Sequence, residues 1–259
     1  WTNDFIRKEG TNYKLKIYSH GAVNFKKTIN PSFIYDLIKE KPDIVVSIAF
    51  WMPSLYLSLI KNILKFKFII LTNMIEETEK NIGYSKETVR KLIASKVDCF
   101  ISASNLTTQY LSEMYPSKNI VLSMQTMNVT RWRDDLDSLL DKKILLEKLN
   151  IPGNIKVMLG VGNYIHKKNW ISVLKSMQNI DNVLFILIGS GEDKNIYIDM
   201  VKEFEIYDKV RIVGNKIGVD LLEYYKVSDF LIFPSFYDQF GFVVPEALTS
   251  GLPVICSIN

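Results

Sequence analysis

Residues 156–188 read KVMLGVGNYIHKKNWISVLKSMQNIDNVLFILI, and two periodicities alternate within them. The apolar runs Lys156–Gly160 and Val183–Ile188 have the length and the aliphatic content of buried strands. Between these runs, apolar residues recur at the i, i+3, i+4 and i+7 spacing of a helix with one buried face. They are Trp170, Val173, Leu174 and Met177. A strand, a helix and a second strand in this order predict a parallel sheet covered by helices.

The same alternation continues along most of the chain. Further strands are predicted at Lys14–Ser19, Asp43–Ala49, Phe66–Thr72, Asp98–Ala103, Ile120–Ser123, Val210–Val213, Phe230–Phe233 and Pro253–Cys256. The pattern breaks at Thr126–Asn154, where we expect a charged helix at Leu136–Leu149. The sequence therefore predicts an α/β fold of two Rossmann-like domains, residues 1–130 and 155–259, with a linker at 131–154. Because ligands of open α/β sheets bind outside the carboxyl ends of the strands, we expect the site in a cleft between the domains.

The composition excludes several classes of protein. With 259 residues, 47% of them hydrophobic and 23% charged, the chain can bury a large core, unlike a disordered tail, a disulfide scaffold or a fibre. The net charge of +4 is too small and too dispersed to indicate a nucleic-acid binder. Cys99 and Cys256 lie in apolar runs and are predicted to be buried free thiols. The apolar runs are too short to span a membrane, and the chain, which starts at Trp1 and stops after an apolar run, is expected to be cut at both ends.

Glycine turns follow three successive strands of the second half. Gly160-Val161-Gly162-Asn163 comes first, with Lys168 after it, and Gly189-Ser190-Gly191 and Val213-Gly214-Asn215-Lys216 come next. Such turns let backbone N–H groups approach an anion, and a lysine near the following helix start adds favourable charge. The alternative for each turn is a tight strand-to-helix connection with a solvated lysine. Together, the three turns favour a phosphate or sugar ligand along one edge of the sheet.

The segment from Phe233 to Ala247 contains two carboxylates, Asp238 and Glu246, with seven residues between them. Gly241 lies between the carboxylates, and Pro245 suits the first turn of a helix. Both acids can therefore face one pocket. The alternative is that Asp238 forms a turn and Glu246 interacts with the helix dipole.

These motifs, together with Leu221–Tyr225 and Ser228-Asp229-Phe230, resemble the C-terminal half of the retaining nucleotide-sugar glycosyltransferases of group 1, which have the GT-B fold. The resemblance covers residues 156–259, and Lys41–Val45 is similar to the entry of an early strand in that family. It implies that Glu246 binds the donor ribose, that Asp238 contacts the sugar, and that Asn163 and Lys168 hold the diphosphate. It also implies catalytic roles for Asp238 and Lys168. Further donor contacts are expected from Gly162, Gly189, Gly191, Gly241 and Phe242.

The sequence departs from the family pattern at several positions. The first acid is Asp238 rather than Glu, and Asn163 replaces the arginine that holds the diphosphate, which leaves Lys168 as the main cation. Asn73 stands where the family often has a histidine. His20 and His166 are the two histidines of the chain, and each is expected in a loop. The family's first strand and closing elements are expected to lie beyond the ends of this chain, so the chain alone is expected to lack transfer activity.

The sequence thus predicts a cytoplasmic enzyme that transfers a sugar from a nucleotide-sugar donor to a glycan or lipid-linked hydroxyl acceptor, with retention and without a metal or other cofactor. Asp135-Leu136-Asp137 matches a metal-binding pattern but is assigned to helix capping, so no metal site is predicted. The basic and apolar segment Lys61–Phe68 leaves open a peripheral contact with the inner face of the membrane, although a helix end before a buried strand explains it more simply. The alternatives are a non-catalytic nucleotide-sugar-binding or scaffold protein and, with less support, an epimerase of the same fold.

Overall fold

The computed structural model describes residues 32–80, 82–238 and 240–258. The predicted strand Lys14–Ser19 and His20 lie outside these residues. The chain divides into two compact units between Met124 and Gln125. In the described ranges, each unit contains a parallel sheet accompanied by helices, which confirms the predicted α/β fold class.

The first unit is built around a sheet of four described strands in the order β1-β2-β3-β4. Its elements are α1 (Ser32–Glu40), β1 (Ile44–Ile48), α2 (Met52–Leu64), β2 (Lys67–Thr72), α3 (Glu76–Glu79), α4 (Tyr84–Lys96), β3 (Cys99–Ser102), α5 (Asn105–Met114) and β4 (Asn119–Leu122). Alternate residues of β2 and β3 are fully buried against the helices; they include Phe68, Ile70 and Phe100. The period-2 pattern of the sequence thus becomes the core face of the sheet.

The second unit contains five described strands in the order β7-β6-β5-β8-β9. Its elements are α6 (Val129–Asp137), α7 (Lys142–Lys148), β5 (Lys156–Val161), a 3₁₀ turn (His166–Lys168), α8 (Trp170–Met177), β6 (Val183–Ile188), α9 (Lys194–Glu203), β7 (Val210–Gly214), α10 (Val219–Val227), β8 (Phe230–Phe233), α11 (Val243–Thr249) and β9 (Val254–Cys256). From β5 the chain adds β6 and β7 on one side and then crosses to add β8 and β9 on the other. The strand order therefore reverses between β5 and β8, where open α/β sheets bind their ligands.

The second sheet is buried on both faces because its strands are apolar at consecutive positions. In β5, Val157 and Leu159 belong to the core cluster that includes residues of α7, α10 and α11, whereas Met158 belongs to the cluster with α8 and α9. The predicted apolar stripe of α8 is the buried face of that helix. Local periodicity thus determined which side chains enter the core.

The division between the units differs from the predicted boundary. Residues 131–154 were predicted to be a linker, but α6 and α7 belong to the second unit, and Leu136, Leu145 and Ile151 lie in its core. In place of the predicted helix at Leu136–Leu149, the structure has two helices. The sequence appeared charged and irregular there because only a few apolar residues of each short helix face the core.

Helix α6 also corrects the interpretation of Asp135 and Asp137. The helix begins after Asn128, whose side-chain oxygen accepts the N–H of Arg131 at 3.0 Å. The two aspartates therefore lie near the end of the helix, and the prediction that they cap its start is wrong. Asp135 instead forms an exposed ion pair with Arg131 at 3.7 Å.

Both cysteines are free thiols, but their burial differs. Cys99 is half-buried in β3, whereas Cys256 is exposed in β9, so the prediction of a buried Cys256 is wrong. Strand β9 is at the edge of the described sheet, so it has a neighbouring strand on one side only. The ranges that the structure describes contain no helix with the length and apolarity required to cross a bilayer.

Candidate functional site

The candidate site lies at the carboxyl edge of the second sheet, where the loops after β5 and β8 run side by side. The two strands are parallel neighbours, so their following loops leave the same edge. The N–H of Phe236 donates to the carbonyl of Lys167 at 2.9 Å, and the side-chain amide of Asn169 donates to the carbonyl of Pro234 at 3.2 Å. The glycine-turn motif and the carboxylate motif therefore form one surface.

At the centre of this surface, Lys168 and Asp238 form an ion pair. They are 70 residues apart in sequence, and the Lys168 ammonium donates to Asp238 Oδ2. Their side chains are only 12% and 20% exposed. Burial raises the pKa of Asp238, but the hydrogen bond and charge of Lys168 outweigh it, so the pKa lies below its usual value. The two predicted catalytic residues thus meet directly, and the carboxylate neutralises the ammonium.

Aromatic rings lie next to the ion pair and on the two loops that carry it. The Lys168 ammonium lies 5.1 Å from the ring centre of Phe233. The ring centres of His166 and Phe236 are 5.4 Å apart, and the Lys167 ammonium lies 5.3 Å from the ring centre of Tyr237. Because the Phe236 and Tyr237 rings remain partly exposed, this surface offers flat apolar faces next to a buried charge pair.

The predicted glycine contacts have a structural role of their own. A Cβ at Gly189 would lie 1.9 Å from the carbonyl oxygen of Gly162, and a Cβ at Gly191 would lie 2.3 Å from that of Tyr164. The N–H of Gly162 donates to the last carbonyl of β6 at 2.9 Å, and the N–H of Gly189 donates to Gly214 at 3.0 Å. These two N–H groups are therefore bound within the sheet, which differs from the expectation that they point at an anion. The glycines allow the loops after β5 and β6 to pack in direct backbone contact.

Asn163, the other predicted diphosphate contact, lies on the same loop as Lys168. Asn163 is exposed, and its carbonyl accepts the indole N–H of the buried Trp170 at 3.1 Å. His166 is exposed in the 3₁₀ turn. Asn73 follows β2 in the first unit. The role of Asn163 at the diphosphate stays a prediction.

The carboxylate motif continues into α11. Gly241 has a φ of 71°, a left-handed conformation that glycine adopts without strain, and a Cβ there would meet the Phe233 ring at 3.0 Å. Phe242 follows with an exposed ring whose centre lies 4.5 Å from that of Phe240. Glu246 lies in the first turn of α11, as expected from Pro245. The motif thus turns sharply at Gly241 and places Glu246 on a helix.

Sequence reasoning missed the residues that hold Glu246. The buried Tyr225 of α10 donates its hydroxyl to Glu246 Oε2 at 2.7 Å. Burial raises the pKa of Glu246, and the bond from Tyr225 only partly offsets this, so the pKa lies above its usual value. Tyr225 was part of the quoted motif Leu221–Tyr225 but carried no assigned role, because nothing in the sequence indicates which carboxylate a buried tyrosine reaches.

In the ranges 32–80, 82–238 and 240–258, no group of three or more His, Cys, Asp or Glu side chains is arranged to hold a metal ion.

Comparisons with known proteins find a family model that matches most of the second unit. The family model of the group 1 glycosyl transferases matches residues 141–258. An uncharacterised glycosyltransferase of Methanocaldococcus jannaschii is 27% identical over 133 residues, which is 50% of this chain and 34% of that protein. The O-antigen biosynthesis glycosyltransferase WclY of Escherichia coli is 25% identical over 219 residues, 79% of this chain and 58% of that protein. The chain thus spans between a third and three fifths of the length of these two relatives.

Solved structures share the fold. A sucrose-phosphate synthase of Thermosynechococcus elongatus aligns with a TM-score of 0.70 and 20% identity over 86% of this chain and 58% of that one. The Anabaena protein HepE in complex with UDP and glucose aligns with a TM-score of 0.70 and 14% identity over 87% of this chain and 62% of that one. The resemblance inferred from the motifs is thereby confirmed for the second unit: residues 141–258 match the family model of the group 1 glycosyl transferases, and the chain shares the fold of these GT-B structures.

Proposed function

We propose that the protein transfers a sugar from a nucleotide-sugar donor to a hydroxyl group of a glycan or lipid-linked acceptor during glycan or polysaccharide biosynthesis. The observation that carries this proposal is the meeting of Lys168 and Asp238 at the point where the strand order of the second sheet reverses. The HepE structures that contain UDP, and the O-antigen enzyme among the relatives, support a nucleotide-sugar donor and a glycan acceptor.

In this proposal each charged residue acts on a different part of the donor. Lys168 stabilises the negative charge that develops on the departing diphosphate, which is the electrostatic contribution that dominates many transfers. Asp238 contacts the sugar, Glu246 accepts a hydrogen bond from the ribose, and Asn163 contacts the diphosphate from the exposed end of the glycine turn. Transfer with retention and without a metal is part of the proposal, since Lys168 supplies the cation at the diphosphate.

Calorimetric titration with UDP, GDP and ADP tests the donor site. Lys168→Ala and Glu246→Ala should each weaken nucleotide binding about tenfold or more, because each removes a charge-assisted hydrogen bond worth roughly 1.5–3 kcal/mol. Lys209→Ala is the matched control, since Lys209 forms a comparable ion pair with Asp181 at 2.7 Å away from the loops after β5 and β8.

Unchanged affinity in both site variants would contradict the assignment of the site. Tight nucleotide binding by the full-length protein without transfer from any of the UDP-, GDP- or ADP-sugars would favour the alternative of a non-catalytic binding protein. Transfer by the full-length protein should persist in EDTA, whereas a complete loss that manganese restores would contradict the metal-independent mechanism.

We propose that the reaction takes place in the cytoplasm, and the segment Lys61–Phe68 leaves open a peripheral contact with the inner face of the membrane. In the first unit, Leu59 and Ile63 are exposed on α2. The Lys67 side chain beyond the helix is 74% exposed, and its ammonium lies 4.0 Å from Asp98 Oδ1. By contrast, Lys61 is bound to the Lys96 carbonyl and to Asp98, both at 2.7 Å, so it is not available to lipid headgroups. Co-sedimentation with phosphatidylglycerol vesicles should be reduced by Ile63→Asp; no sedimentation of the unaltered protein would contradict the membrane contact.

A further inference from the structure

Two other residues hold Glu246, one at its carboxylate and one at its backbone. The hydroxyl of Tyr225, whose side chain is completely buried, donates to Glu246 Oε2 at 2.7 Å. The hydroxyl of Ser250, one turn further along, donates to the carbonyl oxygen of Glu246 at 2.8 Å. The position of this glutamate is thus determined by tertiary contacts as well as by the helix.

Trp132 of α6 supports both of these residues. Its indole N–H donates to Ser250 Oγ at 2.8 Å. Its ring meets that of Tyr225 edge to face, with ring centres 5.3 Å apart and an angle of 82° between the planes. Helix α6, which lies in the segment that sequence reasoning assigned to a linker, therefore supports the residues that hold Glu246.

We propose that Tyr225 is a positioning residue for the nucleotide-sugar donor: its phenol orients and polarises the Glu246 carboxylate for a ribose hydroxyl, and Trp132 holds the phenol in place. This inference rests on the proposed function, in which Glu246 binds the ribose. The phenol occupies Oε2, so Oε1 is the oxygen that accepts from the ribose. A carboxylate with one oxygen anchored loses little freedom on binding, which favours affinity.

The charge of Glu246 depends on the same contact. Burial raises the pKa of Glu246, and the hydrogen bond from Tyr225 lowers it. The other elements packed against α11 are α6, β8 and β9. Helix α6 contributes charged groups of both signs, all exposed: Arg131, Arg133, Asp134, Asp135 and Asp137. Strand β8 is apolar, and β9 contributes the exposed Cys256. Without the phenol, the half-buried Glu246 carboxyl therefore takes up a proton at a higher pH, and a protonated carboxyl is a weaker acceptor for the ribose.

Tyr225→Phe tests the proposal, with Tyr224→Phe as the matched control on the same helix. UDP binding is measured by calorimetry from pH 5.5 to 8.5. We expect Tyr225→Phe to weaken UDP binding about tenfold at neutral pH, as for the loss of one charge-assisted hydrogen bond. The loss of affinity on acidification should begin at a higher pH than in the unaltered protein, and Tyr224→Phe should change neither quantity. Equal affinity and an equal pH profile in Tyr225→Phe would overturn the proposal.

Two further measurements separate this proposal from the donor-site assignment. In a Glu246→Gln background, Tyr225→Phe should have little further effect, because the carboxylate that the phenol polarises is absent; an undiminished effect would overturn the positioning role. Carboxyl NMR titration of Glu246 in the nucleotide-free protein should show a raised pKa in Tyr225→Phe, and an unchanged pKa would overturn the proposal even if Glu246 proves not to bind the ribose.

Trp132→Phe is a second variant, in case Tyr225→Phe folds poorly. It keeps an aromatic ring against Tyr225 but removes the indole N–H to Ser250. UDP binding should weaken about threefold, as expected for one neutral hydrogen bond that supports the site indirectly. Unchanged UDP binding in Trp132→Phe would show that Trp132 does not help to hold Tyr225 and Glu246 in place.

Discussion

Replacing Asp238 with asparagine should strengthen the binding of UDP while abolishing sugar transfer. In the structure the Lys168 ammonium is already paired with the Asp238 carboxylate, and the side chains are only 12% and 20% exposed. A diphosphate that approaches Lys168 therefore meets a neutralised cation and a nearby negative charge. Asparagine has nearly the same shape and keeps an oxygen for Lys168, but it removes the negative charge.

The expected gain follows from the charge that is removed. At an effective dielectric constant of about 20, two unit charges about 7 Å apart interact by about 2 kcal/mol, which corresponds to roughly thirtyfold in affinity. Water reaches part of the pair and screens some of this repulsion, so we expect UDP to bind Asp238→Asn about five to thirty times more tightly. Transfer should be lost, because in our proposal the carboxylate contacts the sugar.

Calorimetric titration with UDP between pH 6 and 8 measures this gain. Although burial raises the pKa of Asp238, Lys168 lowers it more, so the carboxyl stays ionised over this range and the gain should not vary with pH. Asp181→Asn is the control, since Asp181 pairs with Lys209 at 2.7 Å. If Asp238→Asn bound UDP no more tightly than the unaltered protein, the diphosphate would not lie beside this ion pair, and the reasoning would be refuted.

Two further predictions concern the stability of the second unit. Gly189→Ala should lower the free energy of unfolding by about 2 kcal/mol or more, because its Cβ would lie 1.9 Å from the carbonyl oxygen of Gly162. Gly153→Ala is the control, since its Cβ would have nothing within 4 Å, and it should be close to neutral. Urea denaturation measures both variants. Asp229→Asn should cost about 1 kcal/mol at pH 7: although burial raises the pKa of Asp229, the N–H of Val157 and the Lys142 ammonium lower it below its usual value. A carboxyl whose pKa is lowered in the folded state stabilises the protein above its unfolded-state pKa, and this stabilisation is lost as the pH falls through the folded-state pKa. The difference in unfolding free energy between the unaltered protein and Asp229→Asn should therefore shrink below about pH 4. An equal difference at pH 7 and pH 3 would contradict the assignment.

The local periodicity of the sequence determined the elements of the fold. Within the described residues, the predicted strands agree with the observed ones to within one residue at each end, as for Asp43–Ala49 against Ile44–Ile48. The stripe of α8 and the helix start near Pro245 were also predicted from the sequence. Strand alternation, helical spacing and glycine turns are properties of residues close together in the chain, so a short segment of sequence is enough to predict each of them. The motifs likewise sufficed to indicate the resemblance to group 1 glycosyltransferases that the family model finds at residues 141–258.

Only the tertiary structure decided which motifs meet. The order β7-β6-β5-β8-β9 brings the loops after β5 and β8 together, and with them Lys168 and Asp238. It also places Tyr225 on Glu246, and Trp132 behind both, in a segment that composition alone assigned to a linker. Strand order depends on the path of each crossover helix and on how the faces pack, and an ion pair between distant residues depends on that order. Neither the strand order nor the ion pair can be predicted from the spacing of neighbouring residues in the sequence.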